Sequence, residues 1–237
     1  MDKCLLRIRT SNGLSRHRCF YQDTRIPYYK AKIERLSTDP EVLLYHDVIS
    51  DEEIEQVQKL AGPQFEQSTV RQGTNIHVDV DYRISQTAWL ADSGLIAKLS
   101  NRIMLVTGLS VALSPGIPHA EPLQVVNYGI GGLFTPHHDF FDTGGETRFF
   151  GGSGNRMATW MFYLNDVTAG GATVFTDIDL YVPATKGAAA FWYDLFDDGT
   201  PDFSTTHGGC PILMGTKWVA NKWIHEAGQM FRRPCKD

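Results

Sequence analysis

Polar and apolar positions change period along this chain, and the change separates an early helical part from a strand-rich remainder. Val42-Leu43-Leu44-Tyr45 is a short apolar run that predicts an edge strand. Ser50-Asp51-Glu52-Glu53 reads as a capping box, with serine at the N-cap, glutamate three residues on, and acids at the positive end of the helix. Ile54, Val57, Leu60 and Ala61 follow at helical spacing, so a helix is predicted over about 51–61, ending at Gly62-Pro63. Between 66 and 90 apolar residues alternate loosely (Val78, Val80, Tyr82, Ile84) and predict one or two strands. Leu95, Ile96, Leu99, Ile103 and Val106 form the buried stripe of a second helix over 93–107, stopped by Gly108.

The remainder has strand character. Leu123–Tyr128, Ala158–Leu164, Thr173–Phe175, Ala188–Tyr193, Lys217–Ala220 and Lys222–His225 are rich in β-branched and aromatic residues. Turn-formers punctuate them at Asn165-Asp166, Gly170-Gly171, Lys186-Gly187, Asp197-Gly199 and Gly208-Gly209. Helices first and many short strands afterwards predict an α+β chain whose larger part is a β-sandwich or jelly roll. Residues 1–40 are mixed and basic, with a turn signal at Asn12-Gly13 and breaks at Pro27 and Pro40. They read as an irregular N-terminal arm, leaving 41–237 as the folded domain.

Composition narrows the function classes. The 237 residues suffice for one sizeable core. A net charge of -5 argues against nucleic acid as the main partner, because phosphate recognition needs a basic surface. No apolar run approaches the ~20 residues of a membrane span. The four cysteines, Cys4, Cys19, Cys210 and Cys235, allow three connectivities. The shortest loops come from Cys4–Cys19 and Cys210–Cys235, and these pairings are expected. Disulfides imply an oxidising compartment. The chain opens without a leader sequence, which reads as a piece of a longer secreted chain.

The candidate chemistry centres on LQVVNYGIGGLFTPHHDFFD, residues 123–142. In an extended chain residues i and i+2 share a face, so His137 and Asp139 converge while His138 faces away. Two histidines and a carboxylate, with open positions opposite, form the facial triad of non-haem Fe(II) oxygenases. Of the other histidines, His207 stands out, held before Gly208-Gly209-Cys210-Pro211. Ten residues on, Lys217 shares a strand face with Val219, Asn221 and Trp223, and His225 comes next on that face. An inward lysine is costly unless it meets an anion, whether a structural carboxylate or a ligand.

These motifs resemble one family throughout. YHDVISDEEIEQVQKLA, YRISQTAWL, LQVVNYGIGGLFTPHHDF, GNRMATWMFYLNDVTAGGATVF, KGAAAFWYDLF and FSTTHGGCPILMGTKWVANKWIHEAGQMFRRPC are similar, in order and spacing, to the catalytic region of collagen-type prolyl 4-hydroxylase α subunits. The likeness runs from about Tyr45 to Cys235, and the cysteine pair ahead of Tyr45 also resembles the family's preceding segment. The resemblance implies a double-stranded β-helix core with N-terminal supporting helices, and makes 41–237 a dioxygenase catalytic domain. It implies Fe(II) bound by His137, Asp139 and His207, with 2-oxoglutarate as co-substrate and ascorbate to rescue the iron. Lys217 would anchor the far carboxylate of 2-oxoglutarate, His225 would assist near the other carboxylate, and Tyr128 and Thr173 would line the pocket. Arg83, Arg156 and Trp223 fall in segments similar to the family's peptide groove. The implied reaction hydroxylates proline at C4 in collagen-like or other proline-rich peptides, in the endoplasmic reticulum lumen, with a disulfide-isomerase-type subunit as partner.

Two departures bear on this. His138 stands where the family pattern has phenylalanine, and the stretch 143–154 is glycine-rich where the family is more charged. The same fold could serve another peptidyl residue, or a non-catalytic peptide-binding subunit. Against the last, His137, Asp139, His207, Lys217 and His225 all carry chemically competent side chains.

Overall fold

The computed structural model describes residues 18–72, 75–79, 81–112, 116–141 and 152–233. The first part of the chain holds strands β1 (Arg18–Asp23), β2 (Lys30–Thr38) and β3 (Glu41–His46), helix α1 (Asp51–Ala61), strands β4 (Glu66–Gln67), β5 (Val70–Gln72), β6 (Asn75–His77) and β7 (Gln86–Leu90), and helix α2 (Gly94–Thr107). The remainder holds β8 (Leu123–Tyr128), β9 (Phe134–His137), β10 (Arg156–Tyr163), β11 (Ala169–Gly170), β12 (Thr173–Phe175) and β13 (Leu180–Val182). It closes with β14 (Ala189–Tyr193), β15 (His207–Gly209), β16 (Ile212–Met214) and β17 (Lys217–His225).

Helix α1 forms where its capping box predicts. The Glu53 amide donates to Ser50 Oγ at 3.3 Å, and the Ser50 amide donates to Glu53 Oε2 at 3.0 Å. Glu53 also accepts two 2.7 Å bonds from Arg102, which ties α1 to α2. Gly108 ends α2 in the left-handed region, where glycine carries no Cβ penalty, and its amide reaches Met104 O at 2.9 Å. Leu60 is half-exposed and Leu95 only partly buried, so the apolar stripes are narrower than their spacing predicts.

The main sheet is nine-stranded, in the order β1-β2-β3-β14-β10-β17-β8-β7-β4, and the smaller sheet is β13-β12-β15-β9. This is the jelly roll expected from the strand pattern. Alternation sorts the main sheet into two faces. Ala158, Trp160 and Phe162 of β10 join Leu123, Val125, Phe191, Ala220 and Ile224 in one core with Ile54, Val57, Leu99 and Ile103 of the helices. Met161 and Tyr163 join Val126, Tyr128, Trp192 and Val219 in a second core, against Phe175 and Val182 of the smaller sheet. The functional site lies on this second face.

Four expectations are corrected. Residues 18–38 are not an irregular arm, because β1 and β2 extend the main sheet. The cause is the alternation in Lys30-Ala31-Lys32-Ile33, which buries Ala31 and Ile33 beside β3. For the same reason Val42–Tyr45 is not an edge strand, since β3 lies between β2 and β14 and its side chains are buried. Cys4 lies outside the described residues, but Cys19 is a free, exposed thiol, so the Cys4–Cys19 disulfide is not made. A strand opposite Glu34 of β2 holds Cys19 at the sheet edge. Cys210 is disulfide-bonded to a partner outside the described residues, where Cys235 also lies. Val80 and most of the glycine-rich 143–154 stretch likewise lie outside them. The two predicted strands over 217–225 are one continuous strand.

Lys222 is fully buried on the helix face of β17, with Nζ 2.8 and 3.0 Å from the two oxygens of Asp92. Removing one partner of a buried pair strands the other charge, at a cost of about 3–5 kcal/mol. Asp92→Ala strands a fully buried ammonium and Lys222→Met a slightly exposed carboxylate, so Asp92→Ala should lower the urea midpoint more; an unchanged midpoint in Asp92→Ala would show that the ion pair does not matter. Cys19→Ser should leave the midpoint where it is, whereas a reductant should lower it by opening the Cys210 disulfide.

Candidate metal centre

The site grows from one strand pairing. β9 and β15 run antiparallel with His137 directly opposite His207, and the chain leaving β9 brings Asp139 beside both. His137 Nε2 lies 3.9 Å from Asp139 Oδ1, and His207 Nε2 lies 3.7 Å from Asp139 Oδ2. One donor atom from each residue falls within 4.8 Å of the others, a spacing that a single ion can bridge. His137 Nδ1 lies 2.8 Å from Thr135 O and His207 Nδ1 lies 3.0 Å from Thr205 O. A carbonyl only accepts, so each Nδ1 carries the hydrogen and each Nε2 turns a lone pair into the site. Burial, then the neighbouring His207, pushes His137 down to about 3, keeping it neutral. Burial alone would raise Asp139, but His207, His137 and Arg156 hold its carboxyl below the usual range. Two neutral imidazoles and one carboxylate fit a borderline divalent ion such as Fe(II).

His138 is outside this set. It stacks on Phe140 with ring centroids 4.5 Å apart and planes at 4°, and meets Phe203 edge-on. The alternation that turns His137 inward turns His138 away, as expected.

The cavity beside the triad is built in rows across the main sheet. Trp192, Thr159 and Trp223 are register partners across β14, β10 and β17. The next row is Met161, Asn221 and Gln124, then Tyr163, Val219 and Val126, and finally Lys217 opposite Tyr128. Lys217, Val219, Asn221 and Trp223 all line the cavity, as their shared strand face predicts. Lys217 closes the far end. Its Nζ lies 5.8 Å from both the Tyr128 and the Tyr163 ring centroids and donates to Thr173 Oγ1 at 3.2 Å. Thr173 Oγ1 also accepts from Tyr163 OH at 3.0 Å. Among the described residues no carboxylate pairs with Lys217, and burial pushes its ammonium down to about 7.

The predicted rim residues are brought near the cavity by different routes. Trp223 lines it, beside the half-exposed Trp89 at 5.9 Å. Arg156 lies 3.6 Å over the Trp223 ring and donates to Asp139 O at 3.2 Å. Its other nitrogens grip Glu121 at 2.6 and 2.9 Å. Burial opposes the Glu121 charge, but Arg156 and His225 overcome it and hold the carboxyl at about 2. Arg83 is buried over Phe134 and donates to Ser85 and Thr87 hydroxyls. His225 is turned out of the cavity, with Nδ1 2.9 Å from Gly154 O and Nε2 3.1 Å from Glu121 Oε1. Instead of facing a co-substrate, its ring supports the Glu121–Arg156 pair.

Sequence reasoning missed Glu121, Thr159, Tyr163, Trp192 and Asp194. The signal for Tyr163 was present: Thr159, Met161 and Tyr163 alternate along β10, so once one faces the site all three do. Glu121 sits in a Pro-flanked loop with no periodicity to place it.

Residues 123–225 match the 2OG-Fe(II) oxygenase superfamily. The chain is 45% identical over 223 residues to prolyl 4-hydroxylase subunit alpha-1 of Gallus gallus, covering 91% of this chain and 42% of that protein. It is 46% identical to prolyl 4-hydroxylase subunit alpha-3 of Mus musculus, covering 92% and 40%. The chain thus spans about two-fifths of the length of these curated relatives. Among solved structures, the viral collagen prolyl hydroxylase of Paramecium Bursaria Chlorella virus-1 in its 2OG complex superposes with a TM-score of 0.53 at 19% identity, covering 78% of this chain and 94% of the other. A Pseudomonas putida prolyl-4-hydroxylase superposes at 0.51 with 13% identity, covering 79% and 93%. These two likenesses bear on the fold alone.

Lys217 generates a pH signature. In the unfolded chain a lysine takes up its proton near 10.5, whereas in the fold Lys217 does so near 7. Between these values the unfolded chain binds more protons, so stability rises with pH across the window and is flat below it. Wild-type melting temperature should therefore gain more between about pH 7 and 10 than that of Lys217→Met. Identical profiles would show that the ammonium is not desolvated.

Proposed function

We propose that this chain is a 2OG-Fe(II) oxygenase that hydroxylates peptidyl proline at C4 with O2 and 2-oxoglutarate, releasing succinate and CO2. Lys217 carries this reading. A buried ammonium without a carboxylate partner, at the closed end of a cavity whose open end is a His-Asp-His set, is complementary to a small dianion that also reaches the metal. Bound Fe(II) supplies O2 activation coupled to decarboxylation of 2-oxoglutarate.

The chain's own residues bind and orient. His137, Asp139 and His207 would hold the ion. Lys217 and the Thr173 hydroxyl receive the distal carboxylate, and Tyr128 and Tyr163 wall that end from water. Arg156, locked by Glu121, packs against Trp223 and the Asp139 carbonyl, so the peptide-facing rim and the metal set share one support. Trp89 and Trp223 offer the aromatic surface that proline-rich, extended peptides favour. Collagen-like or other proline-rich peptides are the substrate class this supports. The Cys210 disulfide supports an oxidising compartment, and we assign the endoplasmic reticulum lumen. Ascorbate as reductant and a disulfide-isomerase-type subunit as partner are proposed from the resemblance of the sequence motifs alone. No helix among the described residues is long and apolar enough to cross a membrane.

Anaerobic titration with Fe(II) and 2-oxoglutarate should produce a weak visible charge-transfer band, absent in His207→Ala, and admitting O2 in the presence of a collagen-like peptide should yield hydroxyproline and succinate in equal amounts. A band without turnover on any proline peptide would overturn the substrate assignment, and no band in a folded protein would overturn the site. Lys217→Ala removes a charge-assisted bond of roughly 1.5–3 kcal/mol, so the 2-oxoglutarate requirement should rise about 10–150-fold while Fe(II) binding persists. Asp139→Ala should abolish turnover at every 2-oxoglutarate concentration.

A further inference from the structure

Behind the triad lies a hydrogen-bond arrangement that the proposed reaction does not by itself require. Thr159 Oγ1 is buried 2.8 Å from Asp139 Oδ2 and 2.8 Å from Asp194 Oδ2. A hydroxyl has one hydrogen, so it satisfies one carboxylate and presents a lone pair to the other. Two ionised carboxylates would leave one oxygen facing that lone pair with no proton between them. Asp139 has the claim to the charge, lying among His137, His207 and Arg156. Asp194 has no imidazole beside its carboxyl, and Arg156 acts on it only through space, as the smallest of its influences. It is fully buried, forms no ion pair among the described residues, and its other oxygen accepts from Trp192 Nε1 at 2.8 Å.

We propose that Asp194 is a positioning residue of the metal site, a neutral carboxylic acid that donates to Thr159 and thereby commits the Thr159 hydroxyl to Asp139. The chain of donors then runs Asp194 Oδ2–H to Thr159 Oγ1, and Thr159 Oγ1–H to Asp139 Oδ2, with every oxygen satisfied. Burial, then the charge of Asp139, raises the Asp194 carboxyl well above the usual range, consistent with this direction. The Asp139 oxygen so fixed is the one facing His207. Asp194 reaches His207 by a second arm, since the Trp192 ring it anchors packs edge-on against that imidazole at 4.8 Å. One buried acid therefore orients two of the three ligand residues, the kind of outer support whose loss costs about 10–100-fold in metal affinity.

This rests on the reading of His137, Asp139 and His207 as ligands. The test is Co(II) titration of the metal-stripped full chain, followed by visible absorption, with a thermal melt of each apo variant. Asp194→Asn can donate to Thr159 and accept from Trp192, so it should bind Co(II) as wild type does, with the same pH dependence around neutrality. Asp194→Ala should weaken binding about 10–100-fold. Should Asp194→Ala fail to fold, Thr159→Val should show the same loss and Thr159→Ser should restore it. Loss of affinity in Asp194→Asn equal to that in Asp194→Ala would mean that a charge is needed and would overturn the proposal. So would wild-type affinity in Asp194→Ala or Thr159→Val. His207→Ala separates the two readings: if it binds Co(II) normally, the ligand assignment itself fails and the proposal falls with it.

Discussion

The site depends on the register of two short antiparallel strands. With β9 and β15 paired so that His137 faces His207, both imidazoles stand on one side of the small sheet and Asp139 follows into the gap between them. A slip of β9 by one residue would turn the His137 ring to the opposite face, away from His207. Gly208 helps to hold that register, because a Cβ there would lie 3.0 Å from Phe134 O and 3.2 Å from Pro136 N. The strands approach this closely only because the position between the ligand histidine and the Gly209 bulge has no side chain.

Opposite that sheet, β17 treats two buried lysines in contrasting ways. Lys222 faces the helices and meets Asp92, so its charge is cancelled inside the protein. Lys217, five residues earlier and on the other face, has only a hydroxyl and two aromatic rings. The first arrangement is complete in the folded chain. The second is complete only with an anion supplied from outside. Strand alternation alone assigns the two lysines these roles, since it decides which core each enters.

Much of this was legible in sequence where local rules suffice. The Ser50–Glu53 capping box, the His137-x-Asp139 spacing and the Lys217–Trp223 face are set by neighbours within a few residues, and the structure realises each. What depends on distant partners was not legible. Val42–Tyr45 looks like an edge because nothing within it records β2 on one side and β14 on the other. Cys19 looks paired because loop length says nothing of where a strand points. Glu121 and Asp194 acquire their roles from Arg156 and Thr159, which reach them only through the sheet. Asp194 ends an apolar run and reads locally as a strand terminus. Its meaning lies in one shared hydroxyl.

The strand order also constrains the timing of assembly. In the main sheet β3 pairs with β14, β10 lies between β14 and β17, and β17 joins β8, so neighbours in space are remote in the chain. Such non-local pairing must close long loops before contacts reward it. On a ribosome, His137 and Asp139 emerge well before His207, and the wall carrying Lys217 and Trp223 emerges last. The nascent chain thus exposes two donors without the third or the cavity, and iron cannot template the early stages. The three donors would therefore come together only once β15 has paired with β9.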